Sequence, residues 1–395
     1  EVVAGPREAR HALSAGAPYG YAAHGGFVQA HAAQASYVYR EIAEGLRQQL
    51  ATAGSVEVLE LFAGNGSLAL SLAKSGARVT AVEAYAPAIG LAERAAREQG
   101  LQLRAVAGDA TRFAAQLGPA SFDAVVVNPP RRGLDVALRR ALGRGAPRAF
   151  VYVSCNPHTL ARDAWHLASL GLRLERAEPL DMIPWSDAIE VLAWFRPAPP
   201  PPLRVLFEDG QCLAIDARPH LEPADMLARV RSLPGWANAV ALDAWGPGVS
   251  GVTWFARPGS SFEPAERELT LLVRGNLRKQ GTITRRSADS TGSRYRKQAD
   301  VGRHSLVSVL TRDREASAII ADFAGIRRPI LGEPTRGDAA SNEFVLHRHG
   351  LDRSFFHVRS SELRLPSGVV VRAEAELSPD LSRVLESAGS DEAAL

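Results

Sequence analysis

Cys155 and Cys212 are the only two cysteines in 395 residues, too few for a disulfide framework. No CxxC pair or Cys/His cluster offers a metal or iron–sulfur site, so neither is expected, and a reducing cytoplasm is the natural setting. Apolar runs never exceed strand length and no signal peptide is visible, which leaves no membrane span to expect. An initiator methionine is also missing, since the chain starts at Glu1, as a fragment or a processed product would. What is present is ordinary. Forty-six per cent of residues are hydrophobic and 23% charged, enough for more than one core in a chain of two or three domains.

Net charge is only +3, but it is unevenly spread. Between Arg274 and Arg303 nine Lys/Arg face two acids, Asp289 and Asp300. Such a stretch suits contact with a phosphate backbone; charge alone equally allows a solvated loop.

Residues 1–54 read as a loop or short hairpin leading into a helix over 31–51. From Val56 the pattern is regular: strand V-E-V-L-E-L, helix Ser67–Lys74, strand R-V-T-A-V-E, helix 86–99, then strands at 103–106, 122–127 and 149–154. That alternation predicts a mostly parallel sheet wrapped by helices over 55–196. L-R-L-E-R-A-E-P-L and A-I-E-V-L-A-W-F, with little between them, predict an antiparallel pair closing its edge. P-A-P-P-P-P (197–202) is a semi-rigid polyproline spacer and marks the boundary. Residues 203–380 carry shorter strands and two expected helices, 224–232 and 316–323, an α+β pattern. The tail, 381–395, reads as frayed.

Several strand ends carry residues suited to chemistry. E-L-F-A-G-N-G puts Gly64 and Gly66 in a tight strand-to-helix turn, where backbone approaches a ligand closely. Glu83 ends the next strand, placed to bind ribose hydroxyls, and Asp109 follows the third, placed for an adenine. Without a third glycine in register, S-adenosylmethionine fits this spacing better than NAD. N-P-P-R (128–131) makes a rigid turn, and Arg131 in place of an aromatic disfavours transfer to an exocyclic amine. Cys155 follows an apolar strand at the helix-opening turn S-C-N-P. It is either a small buried hydrophobe or a nucleophile whose thiolate the helix N-terminus favours.

Together F-V-Q, E-L-F-A-G-N-G, N-P-P-R-R-G, S-C-N-P-H-T-L-A-R-D and D-M-I-P-W-S-D-A-I-E resemble the ordered motifs of the tRNA/rRNA uracil-5-methyltransferase family over residues ~20–196. The resemblance implies a Rossmann-like class I methyltransferase using S-adenosylmethionine on RNA. It implies Cys155 as the nucleophile at uracil C6 and Glu190 as the base at C5. It adds Gln29, Phe62 and Asn128 to the cofactor residues, and Pro129, Arg131 and Asn156 as substrate-binding residues. The sequence departs from the family at Asn128, usually Asp; at His31, usually Asn; and at Trp185 and Ala188, usually His. The family's N-terminal RNA-binding β-barrel has no counterpart here.

V-L-F-E-D-G-Q-C-L-A-I-D, V-A-L-D-A-W-G-P-G and R-R-P-I-L-G-E-P-T-R-G resemble the large-subunit type of RNA pseudouridine synthase over ~203–377. This second resemblance favours rRNA over tRNA as the substrate. Asp243 falls on that family's catalytic aspartate. Ala241 stands where an arginine is usual, Arg267-Glu268-Leu269 replaces Lys-x-Tyr, and Arg314-Glu315-Ala316 opens the segment that normally supplies the aspartate's arginine. The resemblance therefore implies an aspartate without its arginine or tyrosine, in a domain that keeps an RNA-binding face through Arg274–Arg303. Two rival readings stay open: an RNA-binding pseudoenzyme, and a pseudouridine synthase using Asp243.

Overall fold

Runs such as A-V-V-V (124–127) and A-F-V-Y-V (149–153) are what strands covered on both faces require, and they form the centre of the first unit. The computed structural model describes residues 8–23, 31–50, 55–182, 189–219, 221–243, 245–246, 248–260, 262–283 and 293–393. They belong to two compact units, Glu1–Pro201 and Pro202–Leu395. Among the described residues no helix is long and apolar enough to cross a membrane.

The first unit opens with a hairpin, β1 (Glu8–His11) and β2 (Gly20–Ala23), and helix α1 (Ala32–Leu50). Strands and helices then alternate: β3 (Glu57–Leu61), α2 (Ser67–Lys74), β4 (Arg78–Glu83), α3 (Ala86–Glu98), β5 (Leu103–Ala107) and α4 (Ala110–Ala115). They continue through β6 (Ala124–Val127), α5 (Val136–Gly145), β7 (Ala149–Ser154) and α6 (Pro157–Ser169). The antiparallel pair β8 (Leu172–Leu180) and β9 (Glu190–Pro197) closes the edge. Strand order is β5-β4-β3-β6-β7-β9-β8, with β3 to β7 parallel. The winding reverses between β3 and β6, which opens a crevice at the carboxyl ends of these strands. Helix α1 buries Ala35, Val38, Ile42 and Leu46 in one core with Val58, Val126 and Val151. Its 3.6-residue stripe thus makes the lead-in helix part of the first unit.

The second unit contains β10 (Arg204–Glu208), β11 (Cys212–Ala217), α7 (Pro223–Arg231), β12 (Val240–Ala241), β13 (Val249–Ala256) and β14 (Glu263–Arg274). Next come β15 (Gln280–Ile283), β16 (Ser293–Val301), β17 (His304–Thr311) and α8 (Ala316–Gly325). It ends with α9 (Ala339–His349), β18 (Phe356–Arg364), β19 (Val370–Glu374) and α10 (Pro379–Ala393). Its ten strands form one sheet, antiparallel except where β13 meets β18.

Two expectations need correction here. The tail is not frayed: α10 buries Leu381 and Val384 with Leu272, Leu351 and Phe355. Arg353 holds its first turn through Asp380 (2.7 Å) and Ser378 (2.8 Å). The polar S-A-G-S-D-E run hid that short apolar stripe. Nor is the basic stretch a plain loop, because β15 and β16 occupy much of it. Arg274 pairs with Asp338, Arg294 with Glu266 and Lys297 with Asp300, so its excess charge is partly neutralised. Arg285 and Arg286 lie outside the described residues. Helix α9 went unforeseen because it buries little: Val345 is inside, but Phe344 is exposed.

Candidate functional site

Strands β7 and β9 pair with Ser154 opposite Val191. One more step along this register brings Cys155 opposite Glu190, so two residues far apart in sequence meet at the crevice. A cavity of about 660 Å³ opens there, and Cys155 and Glu190 line it together with Phe62, Glu83, Asp109, Asn128, Pro129 and Arg131. Gly64, Gly66 and Asn156 do not line it, while Met182 and Ile189 do and were not anticipated. Met182 belongs to the quoted D-M-I-P-W-S-D motif, the one signal that pointed to it. Gln29, Phe27, Trp185 and Ala188 lie outside the described residues.

Arg131 acts on both the Cys155 thiol and the Glu190 carboxyl. Burial pushes the Glu190 carboxyl above its ordinary range, and the Arg131 charge draws it partly back. Glu190 Oε2 is buried and has no hydrogen-bond partner among the described residues. Burial also pushes the Cys155 thiol up, and the Glu190 charge adds to this; Arg131 opposes both by its charge and a hydrogen bond. The sequence had implied a thiol lowered by the helix N-terminus. Instead Asn156 caps α6, its side-chain oxygen accepting from the His158 and Thr159 N–H groups. Those amides are aimed at Asn156 rather than at the sulfur.

Asn156, expected at the substrate, also braces the neighbouring turn. Its Nδ2 donates to the Arg131 carbonyl (3.1 Å), as does Thr159 Oγ1 (3.2 Å), so it fixes the turn that presents Arg131. Arg162 supports the same turn, donating to the carbonyls of Arg132 (3.0 Å) and Leu134 (3.2 Å). Beneath it Asp163 is a buried hub that accepts from Leu134 N–H (2.8 Å), Arg139 (3.0 Å), Arg162 (2.7 Å) and the Tyr152 hydroxyl (2.9 Å). Gly133 has φ of 74°, and a Cβ there would stand 2.6 Å from Asp163 Oδ2. The adjacent charges Arg162 and Asp163 among the buried residues of α6 are the visible signal for this hub.

The residues expected around a cofactor divide by function. Glu83 accepts from the N–H groups of Gly64 (3.0 Å) and Tyr85 (2.9 Å), and each oxygen keeps a lone pair for a hydroxyl. Gly64 (φ 57°) faces open space, whereas a Cβ on Gly66 would meet Ala92 Cβ at 2.4 Å. Gly66 therefore serves the packing of α2 on α3. Phe62 adopts φ of 62°, a left-handed conformation that strains a bulky residue and recurs at binding sites. Asp109 caps α4 through the Arg112 N–H (2.9 Å). Asn128 donates its N–H to Leu61 (3.3 Å). His31 Nδ1 accepts from Gln34 N–H (3.2 Å) at the start of α1.

Asp243 is not partnerless. Arg267 donates to its Oδ1 (2.8 Å) and Trp254 N–H to its Oδ2 (3.0 Å), and neither member of the ion pair exposes any side chain. The arginine comes from β14, at the position of the expected lysine. Leu269, where the family has tyrosine, is fully buried in the sheet core.

Residues 58–142 match a family model described as a methyltransferase domain, and residues 109–196 match the model for tRNA (uracil-5-)-methyltransferase. The 23S rRNA (uracil(747)-C(5))-methyltransferase RlmC of Shewanella baltica is 37% identical over 158 residues, 40% of this chain and 40% of that protein. The 23S rRNA (uracil(1939)-C(5))-methyltransferase RlmD of Pseudomonas aeruginosa is 39% identical over 180 residues, 43% of this chain and 38% of that protein. The chain thus spans about two fifths of the length of these curated relatives. A solved structure of the Pyrococcus abyssi tRNA (uracil-54, C5)-methyltransferase with S-adenosyl-L-homocysteine aligns at 28% identity and a TM-score of 0.42, covering 48% of this chain and 45% of that one.

Proposed function

We propose that the first unit is an S-adenosylmethionine-dependent RNA methyltransferase acting at C5 of uridine, with ribosomal RNA as its substrate. One observation carries this reading: Cys155 and Glu190 share a cavity, with Arg131 acting on both. The matched methyltransferase segments and the rRNA-modifying relatives support it.

The residues at the carboxyl edge suit the cofactor. Glu83 has lone pairs for ribose hydroxyls, Asp109 and Phe62 flank the same cavity, and the Gly64 backbone faces open space. When bound, S-adenosylmethionine supplies an electrophilic methyl group. Uracil C5 is a weak nucleophile until C6 is attacked, so covalent catalysis divides one hard step into easier ones. Cys155 Sγ gives its proton to water and bonds to C6 as the thiolate, and the electron pair of the C5–C6 double bond makes C5 nucleophilic. After C5 is methylated, Glu190 removes the C5 proton, the double bond re-forms and the thiolate leaves. Arg131 offsets the charge that builds on sulfur and carboxylate. The base has to leave its stack to enter.

Glu190→Gln blocks only the second half of this sequence. With cofactor and uridine-containing RNA it is expected to accumulate a covalent protein–RNA adduct on denaturing gels, and Cys155→Ala to form none. Methyl transfer that survives Cys155→Ala overturns the assignment.

For the second unit, its resemblance to pseudouridine synthases is read as an RNA-binding role without isomerisation. Asp243 has an arginine after all, but its carboxylate is enclosed with both oxygens engaged and Leu269 stands in place of the tyrosine, which favours this over the isomerase. Arg278, Lys279, Arg296 and Arg303, exposed on and beside β15 to β17, are its candidate phosphate contacts.

A further inference from the structure

A second cleft of the first unit, about 410 Å³, lies between α1, α2 and the β1–β2 hairpin. Arg40 and Arg47 of α1 and Lys74 of α2 line it, and Glu44 is the single carboxylate among its lining residues. Elsewhere on the unit Arg78 pairs with Glu57, Arg148 with Asp123 and Arg196 with Glu175, whereas Arg97, Arg104 and Arg144 are exposed with no ion pair among the described residues; what sets this cleft apart is that its cations line one concave space. Arg47 and Lys74 make no ion pair or hydrogen bond among the described residues, and Arg40 only lies over the Tyr37 ring at 5.7 Å. Two positive charges are therefore left over in a concave, hydroxyl-lined space, with Ser36, Ser67 and Ser71 on its walls.

We infer that this cleft binds the phosphate backbone of the RNA whose uridine enters the catalytic cavity, an inference that rests on the methyltransferase reading above. Arg40 and Arg47 are two helical turns apart, roughly 10 Å along the axis, too far to clamp one phosphate and well spread for successive ones. One end of the cleft, at Ser67, is close along the chain to Phe62 of the catalytic cavity, while Arg47 and Lys74 lie toward its other end. Phe62 lines the cavity, Ser67 lines the cleft, and Asn65 between them bonds both Ser67 (2.9 Å) and His11 (3.1 Å). A strand with its base in the cavity can continue across the turn at 62–67 onto α1 and α2.

The test uses the full chain carrying Cys155→Ala, a fluorescent uridine-containing RNA oligonucleotide, and anisotropy over a salt series. Arg40→Gln/Arg47→Gln/Lys74→Gln is expected to weaken binding about tenfold or more. It should also flatten the slope of log K against log salt by about two, at roughly 0.7 per single-strand phosphate contact. Glu44→Gln is expected to tighten binding, a gain that damage to the fold would not produce. S-adenosylmethionine affinity should stay constant throughout. Unchanged RNA affinity and slope in the triple variant overturn this inference and leave the methyltransferase reading standing. Looser binding by Glu44→Gln, or cofactor affinity that falls with RNA affinity, also overturns it. A parent protein that binds no RNA overturns both.

Discussion

Each unit sets a carboxylate beside an arginine, with opposite results. In the first, Arg131 sits on an exposed turn, Glu190 keeps an unpartnered oxygen, and both line a cavity with a half-buried thiol. In the second, Arg267 rises from the middle of a strand, both oxygens of Asp243 are used, and the pair exposes nothing. The two cysteines repeat the contrast. Cys155 lines a cavity, whereas Cys212 is enclosed and pushed up to about 12 by burial and the nearby Asp209. Arg267 too leaves Nε and Nη1 without a partner among the described residues, so what distinguishes the site from the brace is the cavity its groups line, and the residue types alone do not report it.

Two substitutions separate the arrangements most strongly. Cys155→Ala is expected to reduce methyl transfer to background with an unchanged melting temperature. Asp243→Ala should leave transfer per folded molecule intact, yet cost about 3–5 kcal/mol in denaturant unfolding, because it strands a buried guanidinium. Loss of methyl transfer by folded Asp243→Ala protein would place the second unit in the chemistry. Arg131→Gln should have the next largest effect, lowering the rate about 10²-fold at neutral pH. Arg131 lowers both the thiol and the carboxyl, and transfer needs both ionised, so the rising limb of the pH–rate profile should move to higher pH. A limb that stays put would separate Arg131 from both groups.

A smaller effect concerns Glu60 on β3, which burial pushes up to about 8. It is neutral when folded at pH values where the unfolded chain is already ionised. Stability should therefore fall as pH rises from the usual carboxylate range toward 8. Glu60→Gln is expected to remove that slope and to stabilise the protein near pH 8 in chemical denaturation.

Much of the first unit was legible because strands such as A-V-V-V, buried on both faces, leave a continuous apolar record, and because its turns are built from glycine and proline. The pairing of Cys155 with Glu190 was legible only through family resemblance; physically it follows from the β7–β9 register, which no local pattern encodes. The second unit was harder for the same reason. Asp243 takes its arginine from β14 rather than from the segment at 314, and only the pairing of distant strands decides that. The raised thiol was misjudged because proximity to a helix start does not say where its amides point. The hub at Asp163 was missed because its ligands come from four separate elements.

That hub has a consequence for inheritance. The turn presenting Arg131 and the helix following Cys155 share one enclosed carboxylate, so neither can drift alone. A change accepted at Gly133, Arg139, Tyr152 or Arg162 depends on what occupies the other three, and a chimaera that splices only the N-P-P-R-R-G turn or only the S-C-N-P-H-T-L-A-R-D segment into a distant scaffold would import half of a joint. Asn128 through Asp163 is the smallest piece that carries its own geometry with it.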